Sequence, residues 1–265
     1  MTLAFKAHVQ TLLQEHRGER VFCFEHLGKT FWLKQPEQLR GVWLLLKPHP
    51  KQAFLEEREI LQQLNALDAP VPKLCDFGDD YMVLEDAGIT LNNWLNNDKL
   101  TWPQKEVILQ TAIRALIALH QQGIIHGRPA VRDIAWQDGE IRFMDFESHS
   151  KSQNIHWLIS RDILAFLDSL CREKALNDEQ LDNLFAYYRT HCPTEYWADM
   201  QAYVGKFRWL YYLLLPFKPI ARTDLLAIYR LFEHLKRKIY EKIILTLSFI
   251  RFSQRLFGGR WCLRW

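Results

Sequence analysis

The residues best suited to chemistry lie between Ile124 and Glu147, in the stretch IIHGRPAVRDIAWQDGEIRFMDFE. Asp133 and Asp145 each stand beside a short apolar run, and the Asp138-Gly139 pair between those runs is a two-residue hairpin signal. Both carboxylates are therefore expected to project from the two ends of one β-ribbon, a geometry that suits a divalent metal. His126 and Arg128 stand just upstream. A guanidinium cannot accept a proton near neutral pH, so Arg128 is no general base. Arg128 and Arg132 together suit recognition of a phosphate-bearing acceptor; the plainer reading makes one of them a structural ion pair, with Glu147 as its candidate partner. Lys34, at the end of the run Thr30 to Lys34, reads by itself as a solvated surface charge.

These groups need elements to hold them. Leu3, Val9, Leu12 and Leu13 recur at helical spacing, and Arg17-Gly18 closes that segment. Val21 to Glu25 and Thr30 to Lys34 read as a hairpin with its turn at Leu27-Gly28-Lys29. Phe54 to Leu67 is strongly helix-favouring, with Leu55, Ile60, Leu61 and Leu64 as its apolar stripe, and Pro70 and Pro72 are expected to end it. Tyr81 to Glu85 is a compact apolar strand followed by Asp86-Ala87-Gly88. A long helix from Trp102 to Gln122 carries Val107, Ile108, Ala112, Ile113, Leu116, Ile117 and Leu119 as core positions, with Gly123 as its cap. It delivers Ile124-Ile125-His126 directly into the acidic stretch. His120 on this helix reads as a packed or surface histidine.

Composition bounds the function classes. The 265 residues, 48% hydrophobic and 25% charged, are ordinary for a globular protein and exclude a disordered tail. The five cysteines are widely spaced and form no C-x-x-C pair, which argues against a disulfide framework or a zinc site and for a reducing cytoplasm. The N-terminus lacks an apolar run followed by a small-residue cleavage site, so no secretory signal is expected. The net charge of +3 hides an uneven distribution: after Gln201 there are thirteen Lys or Arg against Asp224, Glu233 and Glu241. Aromatic residues interleave with these cations from Phe207 to Pro219, which fits a membrane surface, while core packing accounts for part of them. Ile243 to Ile250 is apolar but too short to span a bilayer. Nucleic acid is the competing partner for a basic patch, yet no RNA-binding motif accompanies it, so none is expected.

Taken jointly, the motifs resemble those of protein kinases. Asp145-Phe146 matches the first two letters of D-F-G, with Glu147 in place of Gly, and Asp133 falls twelve residues earlier, where kinases keep the Asn that holds a second Mg²⁺. The strand FWLK is the counterpart of V-A-I-K, and the helix pattern E-x-x-I-L singles out Glu57, rather than Glu56 or Glu59, as the partner of Lys34. Tyr81 to Glu85 resembles the hinge strand, which would set Glu85 and Ala87 against a base. Arg161 to Leu167 resembles the helix whose N-terminal Asp, here Asp162, ties down the catalytic loop. Aligning His126 with the His of H-R-D places Arg128 where the catalytic Asp belongs, and no G-x-G-x-x-G loop is present; a shorter turn near Gly18 or Gly28 would have to meet the phosphates.

The nearest family resemblance is to the bacterial lipopolysaccharide kinases that phosphorylate heptose or Kdo sugars of the core. It covers Val21 to Leu170. It implies an α+β, two-lobed protein-kinase-like fold with a small β-rich N-lobe (1–88), a larger helical C-lobe (89–200) and a basic, aromatic C-terminal extension (201–265). It further implies ATP held through Lys34, Glu57, Glu85 and Ala87, Mg²⁺ held by Asp133 and Asp145, and His126 and Arg128 beside them in the catalytic loop. The acceptor would be the lipopolysaccharide core or another phosphorylated glycolipid at the cytoplasmic face of the inner membrane. Two activities are open on this reading: phosphoryl transfer, with His126 or Asp133 near the acceptor, or a pseudokinase that binds nucleotide or an envelope partner without turnover.

Overall fold

In the computed structural model, which describes residues 2–37, 50–146 and 154–236, the first helix is α1 (Leu3–Glu15). The Thr2 hydroxyl accepts from the Phe5 amide and caps it. Its buried stripe is Phe5, Val9 and Leu12. Leu3, expected in that stripe, is 90% exposed because Phe5 supplies the inward side chain of the first turn. The hairpin follows as β1 (Val21–His26) and β2 (Lys29–Lys34). Its two turn residues, Leu27 and Gly28, both have positive φ, of 52° and 72°, the pattern of a turn matched to strand twist.

With β3 (Leu74–Phe77) and β4 (Met82–Glu85), these strands form an antiparallel sheet of order β1-β2-β4-β3. Alternation along β2 sends Phe31 and Leu33 to one face, where they meet Phe24, Val83 and the stripe of α1. Trp32 and Lys34 point to the other face. The second helix, α2 (Pro50–Ala66), buries Phe54, Leu61 and Leu64. It does not wait for the prolines to end it. Asp68 adopts φ 53°, and the amides of Asp68 and Ala69 donate back to the carbonyls of Asn65 and Leu64 at 3.2 and 2.9 Å, a Schellman cap with Asp in the left-handed position.

The remainder is mostly helical: β5 (Ile89–Thr90), α3 (Leu91–Leu95), α4 (Trp102–Gln121), β6 (Ile134–Gln137), β7 (Glu140–Phe143), α5 (Ile155–Arg172), α6 (Asp178–His191), α7 (Thr194–Lys206) and α8 (Arg208–Leu214). A 3-10 turn (Leu215–Ile220) and a helix, α9, described over residues 223–236, complete it. The chain is thus a mixed α+β fold with a small sheet region and a larger helical part. On α4, Val107 is 59% exposed and Leu109 takes the buried place assigned to it, because the true stripe follows Ile108, Ala112, Ile113, Leu116 and Ile117. Gly123 caps α4 at φ 74° as expected, with the Ile124 amide donating to the Leu119 carbonyl.

One core runs through Phe54, Leu61, Leu64 and Met82 into α4, α5 and α6, so residues on both sides of position 88 share it. Ala227, Leu231 and Leu235 join the same core. The Arg230 guanidinium donates to the carbonyls of Cys171 and Leu176 at 2.7 and 2.8 Å. Helix α9 is thus packed against the helical part through Ala227, Arg230, Leu231 and Leu235, and the stretch from Ile243 to Ile250 lies outside the described residues. No described helix is long and apolar enough to cross a membrane.

Candidate functional site

Two strands bring the acidic pair together. β6 and β7 pair antiparallel with Ile134 opposite Phe143, and the turn between them, Asp138 and Gly139, takes φ 51° and 92° as a two-residue hairpin requires. Asp133 precedes β6 and Asp145 follows β7, so antiparallel pairing sets both at the open end of one hairpin. The Met144 amide donates to the Asp133 carbonyl at 2.8 Å and closes that end. Asp145 itself has φ 56°, a left-handed conformation that a non-glycine residue holds only when its surroundings impose it. Its side chain is 64% exposed; that of Asp133 is nearly buried, with Arg132 Nε 3.5 Å away.

Lys34 meets this end from the sheet. On α2, Glu57 shares the inward face with Phe54, Leu61 and Leu64 at steps of three and four, which is why Glu57, and not Glu56 or Glu59, turns toward the end of β2. Lys34 Nζ forms an ion pair with Glu57 Oε1 and lies 3.7 Å from Asp145 Oδ1. With its side chain only 14% exposed, Lys34 is not the solvated surface charge that it resembles in isolation. One ammonium thus sits between two carboxylates drawn from a helix and a hairpin remote in sequence. A cavity of about 500 Å³ opens beside it, lined by Lys34, Glu57, Arg20, Gln35 and Phe54 among others. Asp133, Asp145, Glu85 and Ala87 are not among its described lining residues.

The loop between α4 and β6 is held by one buried carboxylate. Asp162 accepts from the amides of His126 and Gly127 at 2.8 and 3.0 Å, and His120 Nε2 lies 3.3 Å from it. Asp162 is in the middle of α5, not at its N-terminus, because the helix already begins at Ile155. The neighbouring Arg161 donates to the Gly127 carbonyl at 2.6 Å. His126 is fully buried, stacked on Phe146 at 4.6 Å between ring centroids, and its Nδ1 accepts from the Arg128 amide at 3.4 Å. Its ring therefore organises the loop, and in this conformation it does not reach a solvent-borne acceptor. Farther along, the Ser169 hydroxyl accepts from the Val131 amide at 3.2 Å and the Val131 carbonyl accepts from the Asn92 amide at 3.1 Å. Glu147, the expected partner of an arginine here and the fourth letter of M-D-F-E, lies outside the described residues.

Glu85 and Ala87 lie at the far end of β4. Lys34 pairs with Met82 and Phe31 with Glu85 across β2 and β4, which puts Glu85 about 10 Å along the strand from Lys34. The Glu85 carboxylate is bound by Lys29 at 2.8 Å, and that hydrogen bond holds its pKa below the usual glutamate value. The Glu85 and Asp86 amides donate to Lys73 and Thr30, while Ala87 is buried. Trp32, on the same face as Lys34, donates its indole N–H to Asp86 at 2.6 Å and so pins this turn to β2. Neither that bond nor the contacts of Arg161 and Asn92 follow from the sequence pattern; the one local hint is that Arg161 immediately precedes Asp162.

Among the described residues no group of three or more His, Cys, Asp or Glu side chains converges. The acidic pair at the hairpin end offers two hard oxygen donors, a number that matches Mg²⁺ shared with phosphates and water better than an all-protein cage.

No family model matches the chain. It is 49% identical over 229 residues, 86% of its own length and 95% of the other protein's, to an uncharacterized protein of Haemophilus influenzae. At that identity and coverage the chain belongs to the same family as the Haemophilus protein.

Proposed function

We propose that this protein is a two-lobed, protein-kinase-like phosphotransferase that uses ATP to phosphorylate a sugar of the lipopolysaccharide core. The observation that carries the reading is the convergence of Lys34, Glu57 and Asp145: a strand ammonium, ion-paired to a helix carboxylate, 3.7 Å from a carboxylate at the open end of a hairpin that also bears Asp133. Glu57 would hold the Lys34 ammonium for the nucleotide phosphates, and the strand from Lys34 back toward Glu85 and Ala87 would run along the rest of the nucleotide. Mg²⁺ fits Asp133 and Asp145, and when bound it would offset the charge on the transferring phosphoryl group. Phosphoryl transfer depends mainly on positioning and charge neutralisation. Asp133 is then the carboxylate left to orient the acceptor hydroxyl, since Arg128 accepts no proton.

Residues 207–220 support a peripheral place at the inner membrane. Trp209, Tyr212, Leu213, Phe217 and Ile220 are exposed, with Lys206, Arg208 and Lys218 among them, an arrangement suited to an anionic lipid surface. Trp209→Glu together with Phe217→Glu should reduce co-sedimentation with phosphatidylglycerol-containing vesicles; unchanged binding would remove this part of the proposal.

The activity test compares the purified protein with its Asp145→Ala form in labelled ATP, Mg²⁺ and core lipopolysaccharide. Metal-dependent labelling that disappears in the variant is the expected result. Nucleotide binding without transfer would favour the second reading, a pseudokinase, for which Arg128 in place of a loop carboxylate is the specific observation. Lys34→Ala should weaken nucleotide binding about tenfold or more by removing a charge-assisted phosphate contact, and undiminished binding would refute the nucleotide assignment.

A further inference from the structure

Arg128 lines a cavity of about 460 Å³ on the α5 side of its loop, together with Arg132, Arg172, Asn92, Asp168 and Glu173. This cavity is separate from the one beside Lys34 and Glu57, with which it shares no lining residue. The walls are fixed from several sides. The loop is tied to α3 through the Asn92 amide and to α5 through Ser169. Asn92 Nδ2 donates to both carboxylate oxygens of Glu173, at 3.0 and 3.2 Å. Arg172 is held by Asp168 at 2.7 Å and by Asp224.

Three guanidinium groups line the cavity with two carboxylates, and Arg132 adjoins Asp133 with Nε 3.5 Å from its carboxylate. A ligand group seated between Arg128 and Arg132 would therefore lie one residue from the acidic end of the hairpin. Arg is suited to planar, bidentate contact with phosphate oxygens. Partial burial raises the pKa of Glu173, against the opposing hydrogen bond from Asn92.

We propose that the cavity lined by Arg128, Arg132, Asn92 and Glu173 is the acceptor site, and that it binds a saccharide through a phosphate monoester already present on it. The guanidiniums take the phosphate, the Asn92–Glu173 pair faces sugar hydroxyls, and a neighbouring hydroxyl is presented toward Asp133. The role of Arg128 is then to hold the acceptor, not to stand in for a missing base. This inference rests on the phosphotransferase reading for its chemistry, but its binding step needs no nucleotide.

The experiment is equilibrium binding without nucleotide or metal. Full-length protein is titrated with phosphorylated core lipopolysaccharide, with the same material after enzymatic dephosphorylation, and with inorganic phosphate. Wild type should bind the phosphorylated form about tenfold more tightly than the dephosphorylated one, and Arg128→Gln with Arg132→Gln should erase that difference. Arg128→Lys with Arg132→Lys, which keeps the charge but not the fork, should retain part of it. Far-UV circular dichroism and an unchanged midpoint of thermal unfolding in the glutamine variant would establish that the fold persists. Equal binding of the two lipopolysaccharide forms by wild type, or an undiminished preference in the glutamine variant, would overturn the proposal. Inorganic phosphate competing as strongly as the phosphorylated saccharide would overturn the saccharide part. Undiminished ATP binding in Lys34→Ala, the outcome that refutes the nucleotide assignment, leaves these results untouched, so failure of the nucleotide reading and failure of the acceptor site are read separately.

Discussion

Replacing Asp162 by Ala should be the most damaging single change near the site. The carboxylate is fully buried, accepts from the His126 and Gly127 amides at 2.8 and 3.0 Å, and faces His120 Nε2 at 3.3 Å. Alanine leaves two buried backbone donors without an acceptor, at roughly 1–3 kcal/mol each. A comparable loss at His120 brings the expected destabilisation to about 3–9 kcal/mol. Against a typical net stability of about 5–15 kcal/mol, that is a large share. Asp162→Asn keeps one carbonyl acceptor and should cost about half as much. Urea unfolding followed by tryptophan fluorescence measures both, with an unchanged slope showing that the midpoint shift reports stability. Hydrogen exchange at the His126 and Gly127 amides should accelerate in step, and a double-mutant cycle with His120→Ala should give a coupling of about 0.5–3 kcal/mol. An Asp162→Ala protein within about 1 kcal/mol of wild type would refute the claim that this carboxylate holds the loop.

Three smaller effects follow from single residues. Burial raises the Glu173 pKa, so the folded state binds that proton more tightly than the unfolded chain; the resulting stability is fully present below the unfolded pKa of about 4.3 and is lost as pH rises through the folded value. Glu173→Gln should therefore gain relative to wild type in thermal unfolding between about pH 4 and pH 7, and a gap that does not change with pH would contradict the burial argument. Burial also pushes Cys171 up to about 12 and Cys192 up to about 11, whereas Cys23 is exposed. Iodoacetamide followed by peptide mapping should find Cys23 modified well before either. Asp68 holds φ 53° at the cap of α2, and Asp68→Gly should stabilise by about 0.5–1 kcal/mol after the entropy gained by the unfolded chain; a loss in the urea midpoint would show that the Asp side chain contributes more than its backbone costs.

What could be read from the sequence was local chemistry with a fixed residue pattern. Asp138-Gly139 and Gly123 announce their conformations because so few residues tolerate positive φ. The cap at Asp68 is not legible in the sequence, because an aspartate is an infrequent occupant of that position and the prolines after it offer a more familiar stop. Val107 differs from its expected place for another reason: an apolar residue bordering a helical stripe cannot be sorted by type, only by what packs against it. Lys34 and Glu57 could be paired in advance through motif resemblance, whereas the indole of Trp32 on Asp86 and the guanidinium of Arg230 on the carbonyls of Cys171 and Leu176 join segments with no shared periodicity. Such contacts follow from the tertiary arrangement and leave no mark along the chain.

The first helix has a practical consequence for anyone handling the protein. Phe5, Val9 and Leu12 roof the side of the sheet where Phe24, Phe31, Leu33 and Val83 lie together. A shortened polypeptide begun at Val21 would lay that greasy surface bare beside the open edge of β1, inviting copies to stick to one another strand to strand. Trimming the leading residues to aid crystallisation should thus yield precipitate, while a tag joined ahead of Thr2 leaves the roof in place.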